Sequence, residues 1–79
     1  MPTAKKRMER LNEILEILKQ HGGKMTFGEL YGTVALKYGI RKETLWDYLN
    51  ALKASSKINF PEIFPITSED YVEIELLRT

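Results

Sequence analysis

Residues 26–52 read TFGELYGTVALKYGIRKETLWDYLNAL, and this run divides at its third glycine. Gly39 can take the left-handed conformation that ends a helix, and Ala35 stands four positions earlier, where two crossing helices need their backbones close. Thr26 with Glu29 makes a capping box, and Met25 with Leu30 fits the hydrophobic staple, so one helix starts here and runs to Tyr38. After Ile40, a second helix begins near Lys42 and ends around Ser55 and Ser56. Leu45, Tyr48, Leu49 and Leu52 recur on it at helical spacing and face the first helix, leaving its other side free for work. The stretch therefore reads as a helix-turn-helix.

Two features of the stretch break local rules. Gly28 and Gly32 sit inside the first of these helices, where each costs roughly 0.5–1 kcal/mol relative to alanine. Their i, i+4 spacing puts both on one face, so a close helix or nucleic-acid backbone is expected to compensate. The bland account, that a first-turn glycine is forgiven, covers Gly28 alone. The second breach is Arg41, a cation where a Ser, Thr or Asp cap is expected, at the positive end of a helix dipole. It is read as a phosphate contact; the alternative is that Glu43 offsets the charge and Arg41 lies in solvent.

Upstream, residues 2–7 (PTAKKR) form a basic arm that enters a helix lasting to about Gln20. Leu11, Leu15 and Leu18 make one apolar stripe, and Ile14 and Ile17 broaden it past what one small domain needs to cover. Two readings follow: a fully packed core helix, or a helix that also packs on a second copy through Met8, Leu11, Ile14 and Ile17. His21, Gly22 and Gly23 then cap it, with His21 favoured by the helix dipole rather than acting as a ligand. Lys24 and Met25 leave room for a very short strand. Downstream, residues 58–60 read as a strand stopped by Pro61. Residues 71–76 alternate as another, with Val72, Ile74 and Leu76 inward.

The chain has 79 residues, no cysteine and one histidine. A domain this small buries roughly 60–65% of the surface its unfolded chain exposes, so its margin is thin, and neither disulfides nor Cys/His zinc sites are available to widen it. No metal or cofactor is expected, and dimerisation is the remaining staple. No apolar run is long enough for a membrane span or a secretory signal, so a cytoplasmic, nucleoid-associated protein is expected. The net charge of +1 hides an asymmetry: residues 1–24 carry six Lys/Arg against three Glu, residues 25–57 five against three acids, and residues 58–79 one against five. A basic front and acidic tail suit a nucleic-acid face on the front, although solvated surface charge gives the same count. No nucleophile, base and acid set and no phosphate-binding glycine loop occurs, so no enzyme is expected.

In Glu29-Leu30, Ala35, Gly39-Ile40, Thr44-Leu45, Tyr48-Leu49, Leu52 and Ile58, with the flanking helix and hairpin, the chain resembles the winged helix-turn-helix family of DNA-binding domains. The likeness is greatest to small prokaryotic and archaeal transcriptional regulators. The resemblance implies an α+β, mainly α, fold over residues 1–79. Residues 1–22 would form the arm and first helix, 26–56 the helix-turn-helix, and 57–79 a two-stranded β-hairpin wing. It also implies a homodimer that binds double-stranded DNA, with the third helix in the major groove and the wing in the neighbouring minor groove. Arg41 and Lys42 would then lie near phosphates, and Trp46, Asp47, Asn50 and Lys53 toward the groove. Three departures stand out: a long second helix, Arg41 in place of a capping serine, and no Lys or Arg between Lys57 and Arg78.

At roughly 100° per residue, the outward side of the third helix carries Glu43, Trp46, Asp47, Asn50, Lys53 and Ala54. Asn50 can pair with adenine and Asp47 can accept from cytosine N4, while Glu43 and Asp47 repel phosphate on the same face. The expected DNA-binding set is therefore Lys5, Lys6, Arg7, Arg41, Lys42, Thr44, Trp46, Asp47, Asn50 and Lys53. Arg10 and Lys57 are further available cations. A second reading makes the domain a protein-interaction module that uses Trp46, Phe64 and the acidic hairpin, because acidic strands repel phosphate and an apolar loop tip at Ile63, Phe64 and Ile66 suits a protein partner.

Overall fold

The computed structural model describes residues 4–61 and 69–77. Three helices and a small three-stranded antiparallel sheet make an α+β domain: α1 (Ala4–Gln20), β1 (Lys24–Thr26), α2 (Phe27–Tyr38), α3 (Lys42–Ala54), β2 (Ile58–Asn59), a 3-10 turn (Glu69–Tyr71) and β3 (Glu73–Leu76). The loop residues Glu62, Ile63, Phe64 and Ile66, and Arg78, lie outside the described residues.

The helix boundaries follow the capping chemistry. Gly22 and Gly23 take φ of 79° and 90°, and the Gly23 amide donates to the Leu18 carbonyl at 2.8 Å, closing α1. His21 Nδ1 sits 2.9 Å from the Ile17 carbonyl, which it meets as a donor, so the ring serves the helix end. At the start of α2 the Thr26 hydroxyl accepts from the Glu29 amide while Glu29 Oε1 accepts from the Thr26 amide. Gly39, at φ 65°, ends α2 and donates its amide to Ala35 at 2.7 Å. Arg41 occupies the N-cap of α3 with no side-chain capping bond.

The sheet corrects the two-stranded expectation. Strand order is β1-β3-β2, with Met25 opposite Ile74 and Ile58 opposite Leu76. The short Lys24–Thr26 segment thus supplies a full edge strand. Pairing period puts Met25, Ile58 and Ile74 on the inner face, all buried. On the outer face Lys24 bridges Glu73 at 3.6 Å and Glu75 at 3.5 Å. Tyr71, expected inside the last strand, belongs instead to the 3-10 turn and is exposed. The turn forms because the Val72 amide bonds the Glu69 carbonyl at 3.0 Å.

This sheet also accounts for the breadth of the α1 stripe. Ile14 is 0% and Ile17 6% exposed, both within the core that includes Leu18, Met25, Leu30, Leu49 and Ile74. Neither can serve a second copy, contrary to the dimer reading of those two residues. Leu11 is half-buried against the core, and Met8 is exposed. Among the described residues no buried side-chain polar atom lacks a partner, and no helix is long and apolar enough to cross a membrane.

The two α2 glycines separate. A Cβ on Gly28 would stand 3.1 Å from Asp70 Cβ and 3.3 Å from the Asp70 carbonyl oxygen, so the 3-10 turn needs the bare backbone there. A Cβ on Gly32 meets nothing within 4 Å. Gly32→Ala is therefore expected to stabilise the fold by roughly 0.5–1 kcal/mol. Gly28→Ala makes the same propensity gain but crowds the turn, for a net loss of about 1 kcal/mol. Urea titrations of both variants against the parent measure the opposite signs.

Candidate nucleic-acid interface

α3 presents four sides, because Leu45, Tyr48, Leu49 and Leu52 face inward and fix its roll. The outermost side carries Glu43, Asp47, Asn50 and Ala54, all exposed. Asp47 and Asn50 are therefore adjacent along one face, with Glu43 one turn before Asp47.

The second side, with Lys42, Trp46 and Lys53, turns against the domain, and three expected groove or phosphate residues change role. Trp46 is half-buried: its ring stacks on Phe27 at a centroid distance of 4.2 Å and 5° between planes, and tilts against Phe60 at 5.4 Å. The indole N–H donates to Glu69 Oε2 at 3.3 Å. The ring lies at the core edge and not on the free side because Phe27, at the head of α2, offers it a flat apolar surface. Lys53 Nζ donates to the Phe60 carbonyl at 2.8 Å and stands 4.4 Å from that ring's centroid. Lys42 Nζ lies 3.2 Å from Asp70 and 3.7 Å from Glu69, above the Tyr31 ring. These cations close the 3-10 turn and the β2 end onto α3.

The third side meets α1. Tyr48 is buried, and the hydroxyl of a buried tyrosine needs a partner. Arg10 Nη1 donates to that hydroxyl at 3.0 Å, and the Arg10 guanidinium also lies 5.3 Å from the Tyr38 ring centroid. One turn earlier the Arg7 guanidinium stands 5.4 Å over the Tyr48 ring. Among the described residues neither arginine is in an ion pair, whereas Lys24, Lys37 and Lys42 all face carboxylates. Lys5 and Lys6 are exposed on the same first turns of α1, and Lys6, Glu9, Arg10 and Tyr38 line a shallow recess. Thr44 is half-buried on α3, and Arg41 is exposed at its N-cap. Tyr38 and Tyr48 were outside the expected site, and Arg10 was expected only as a further available cation. The signal available for them was a tyrosine on a buried stripe, whose hydroxyl needs a donor from a neighbouring element.

Two lysines carry shifted protonation. The hydrogen bond that Lys42 donates to Asp70, followed by the charges of Asp70 and Glu69, raises Lys42 above the ordinary lysine range against the opposing pull of burial. Lys37 is raised in the same way by its hydrogen bond and ion pair with Glu13, a contact that ties α2 to α1.

Compared with family models, curated proteins and solved structures, the chain matches none.

A lysine whose folded pKa is raised contributes stability that is complete below its unfolded value of 10.5 and is lost as pH climbs through the folded value. The stability difference between the parent and Lys42→Met is therefore expected to hold constant from neutral pH to about pH 10 and then to close. Denaturation midpoints across that range measure it, and a gap that widens in alkali would contradict the assignment.

Proposed function

We propose that this chain is a winged-helix domain that binds double-stranded DNA as a small transcriptional regulator, with α3 in the major groove. One observation carries the reading: Arg7 and Arg10 lie over tyrosine rings, Arg10 also donates to a tyrosine hydroxyl, and among the described residues neither is in an ion pair. Guanidinium groups organised by neutral partners are suited to bidentate contact with phosphate and have little ordering entropy left to lose. Lys5 and Lys6 extend the same edge. Beside it, Asp47 and Asn50 stand exposed on α3, with acceptors for cytosine N4 and a bidentate amide for adenine.

The arrangement of charge sets the character of the binding. Lys42 and Lys53 are engaged within the domain and contribute little to phosphate affinity. Glu43 and Asp47 repel the backbone on the reading face. Affinity then comes from the α1 edge and falls steeply with salt. The competing reading, a protein-interaction module that uses Trp46, Phe64 or the acidic hairpin, is less favoured at Trp46, whose ring is stacked on Phe27, while Phe64 lies outside the described residues.

Titration of a labelled mixed-sequence duplex at two or more salt concentrations tests this. Binding at low salt is expected, with the slope of log affinity against log salt reduced in magnitude by about 0.9 for each of Arg7→Ala and Arg10→Ala. Absence of binding at low salt, or a slope unmoved by both substitutions, removes the proposal.

A further inference from the structure

The outward face of α2 has an apolar centre between Glu29 near its head and Lys37 near its foot, both exposed. Leu36 is 92% exposed, the most exposed of the large apolar side chains among the described residues. One turn before it, Gly32 opens onto empty space. Between them the Thr33 hydroxyl donates back to the Glu29 carbonyl at 3.1 Å, which leaves its methyl as the outward group. Lys37 is turned away to Glu13. A leucine one turn from a glycine with open space above it, on a helix that accepts the cost of that glycine, sets a knob beside a position where another helix can approach closely.

We propose that this face packs on the same face of a second copy of the chain, antiparallel across a two-fold axis level with residue 34. That register seats each Leu36 over the other copy's Gly32, because positions 36 and 32 are equidistant from the axis. Charge complementarity selects a second copy as the occupant. Glu29 at the head of α2 uses only Oε1 in the capping box, and Arg41 beyond its foot is exposed without a capping bond. Antiparallel pairing brings these two ends together twice, once on each side of the axis, and also opposes the two helix dipoles. Arg41 then answers to a carboxylate of the second copy rather than to a phosphate. The interface is distinct from the α1 stripe, whose isoleucines are inside the core.

One helix face against its copy is a small contact, so the dimer is weak, with a dissociation constant of roughly 100 µM. Sedimentation equilibrium of the full chain up to about 1 mM is the measurement, at a range set by that constant. Leu36→Glu is expected to weaken association at least about tenfold with unchanged far-ultraviolet circular dichroism. Gly32→Ala gives a signature of its own: it raises the unfolding midpoint yet weakens association, because its methyl takes up the open space above residue 32. The chain has no native cysteine, so Thr33→Cys, one position from the axis, is expected to form a disulfide-linked dimer under mild oxidation, and Asn50→Cys is not. A monomer at the highest concentration, a dimer indifferent to Leu36→Glu, or equal crosslinking at positions 33 and 50 overturns the proposal. DNA binding is scored separately on the α1 arginines, so either idea can fail without the other.

Discussion

Stacking of Trp46 on Phe27 is the contact on which the arrangement of α3 depends. Phe27 is fully buried at the junction of β1 and α2, and its amide bonds the carbonyl of Val72, the residue before β3, at 2.7 Å, so it is held by contacts that do not involve α3. The indole lies flat on that ring, Phe60 closes one edge, and Glu69 takes the N–H. An aromatic pair of this kind adds about 0.5–1.5 kcal/mol beyond the area it buries. In a domain with no disulfide that is a sizeable share of the margin. Together with the buried Leu45, Tyr48, Leu49 and Leu52 it sets the roll of α3, and with it which residues look outward.

Charge is distributed around that frame with a clear division. The acids of the C-terminal third are matched where they fold back: Glu73 and Glu75 on Lys24, Glu69 and Asp70 on Lys42. Among the described residues Arg7 and Arg10 are in no ion pair, and they rest on tyrosines instead. On the sheet side four acids meet two lysines and keep a negative excess, so the net charge of +1 depends on basic residues elsewhere, those of α1 among them. Exposed ion pairs of this type stabilise weakly. Their larger effect is to remove Lys42 from the surface available to a partner.

The helix boundaries were legible because their signals are local. Thr26 and Glu29, Gly22 and Gly23, and Gly39 each settle a boundary within a few residues of chain. What was illegible depended on a neighbour from elsewhere. Trp46 follows Leu45 directly, so a helical wheel leaves it at the border between inside and outside, and only Phe27, from another element, decides the matter. The breadth of the α1 stripe suggested a second copy because a hairpin alone could not cover it; the added edge strand β1, pairing with β3, helps to build the face that does. Gly28 and Gly32 look alike in sequence, yet one meets Asp70 and the other meets nothing.

Trp46 is the sole tryptophan, so intrinsic fluorescence reports on this one contact. The account predicts an emission maximum shifted well to the blue of free indole, weak quenching by iodide, and nuclear Overhauser contacts between the indole and the Phe27 ring. Emission at the free-indole position with full quenching, and no contact to Phe27, would contradict it.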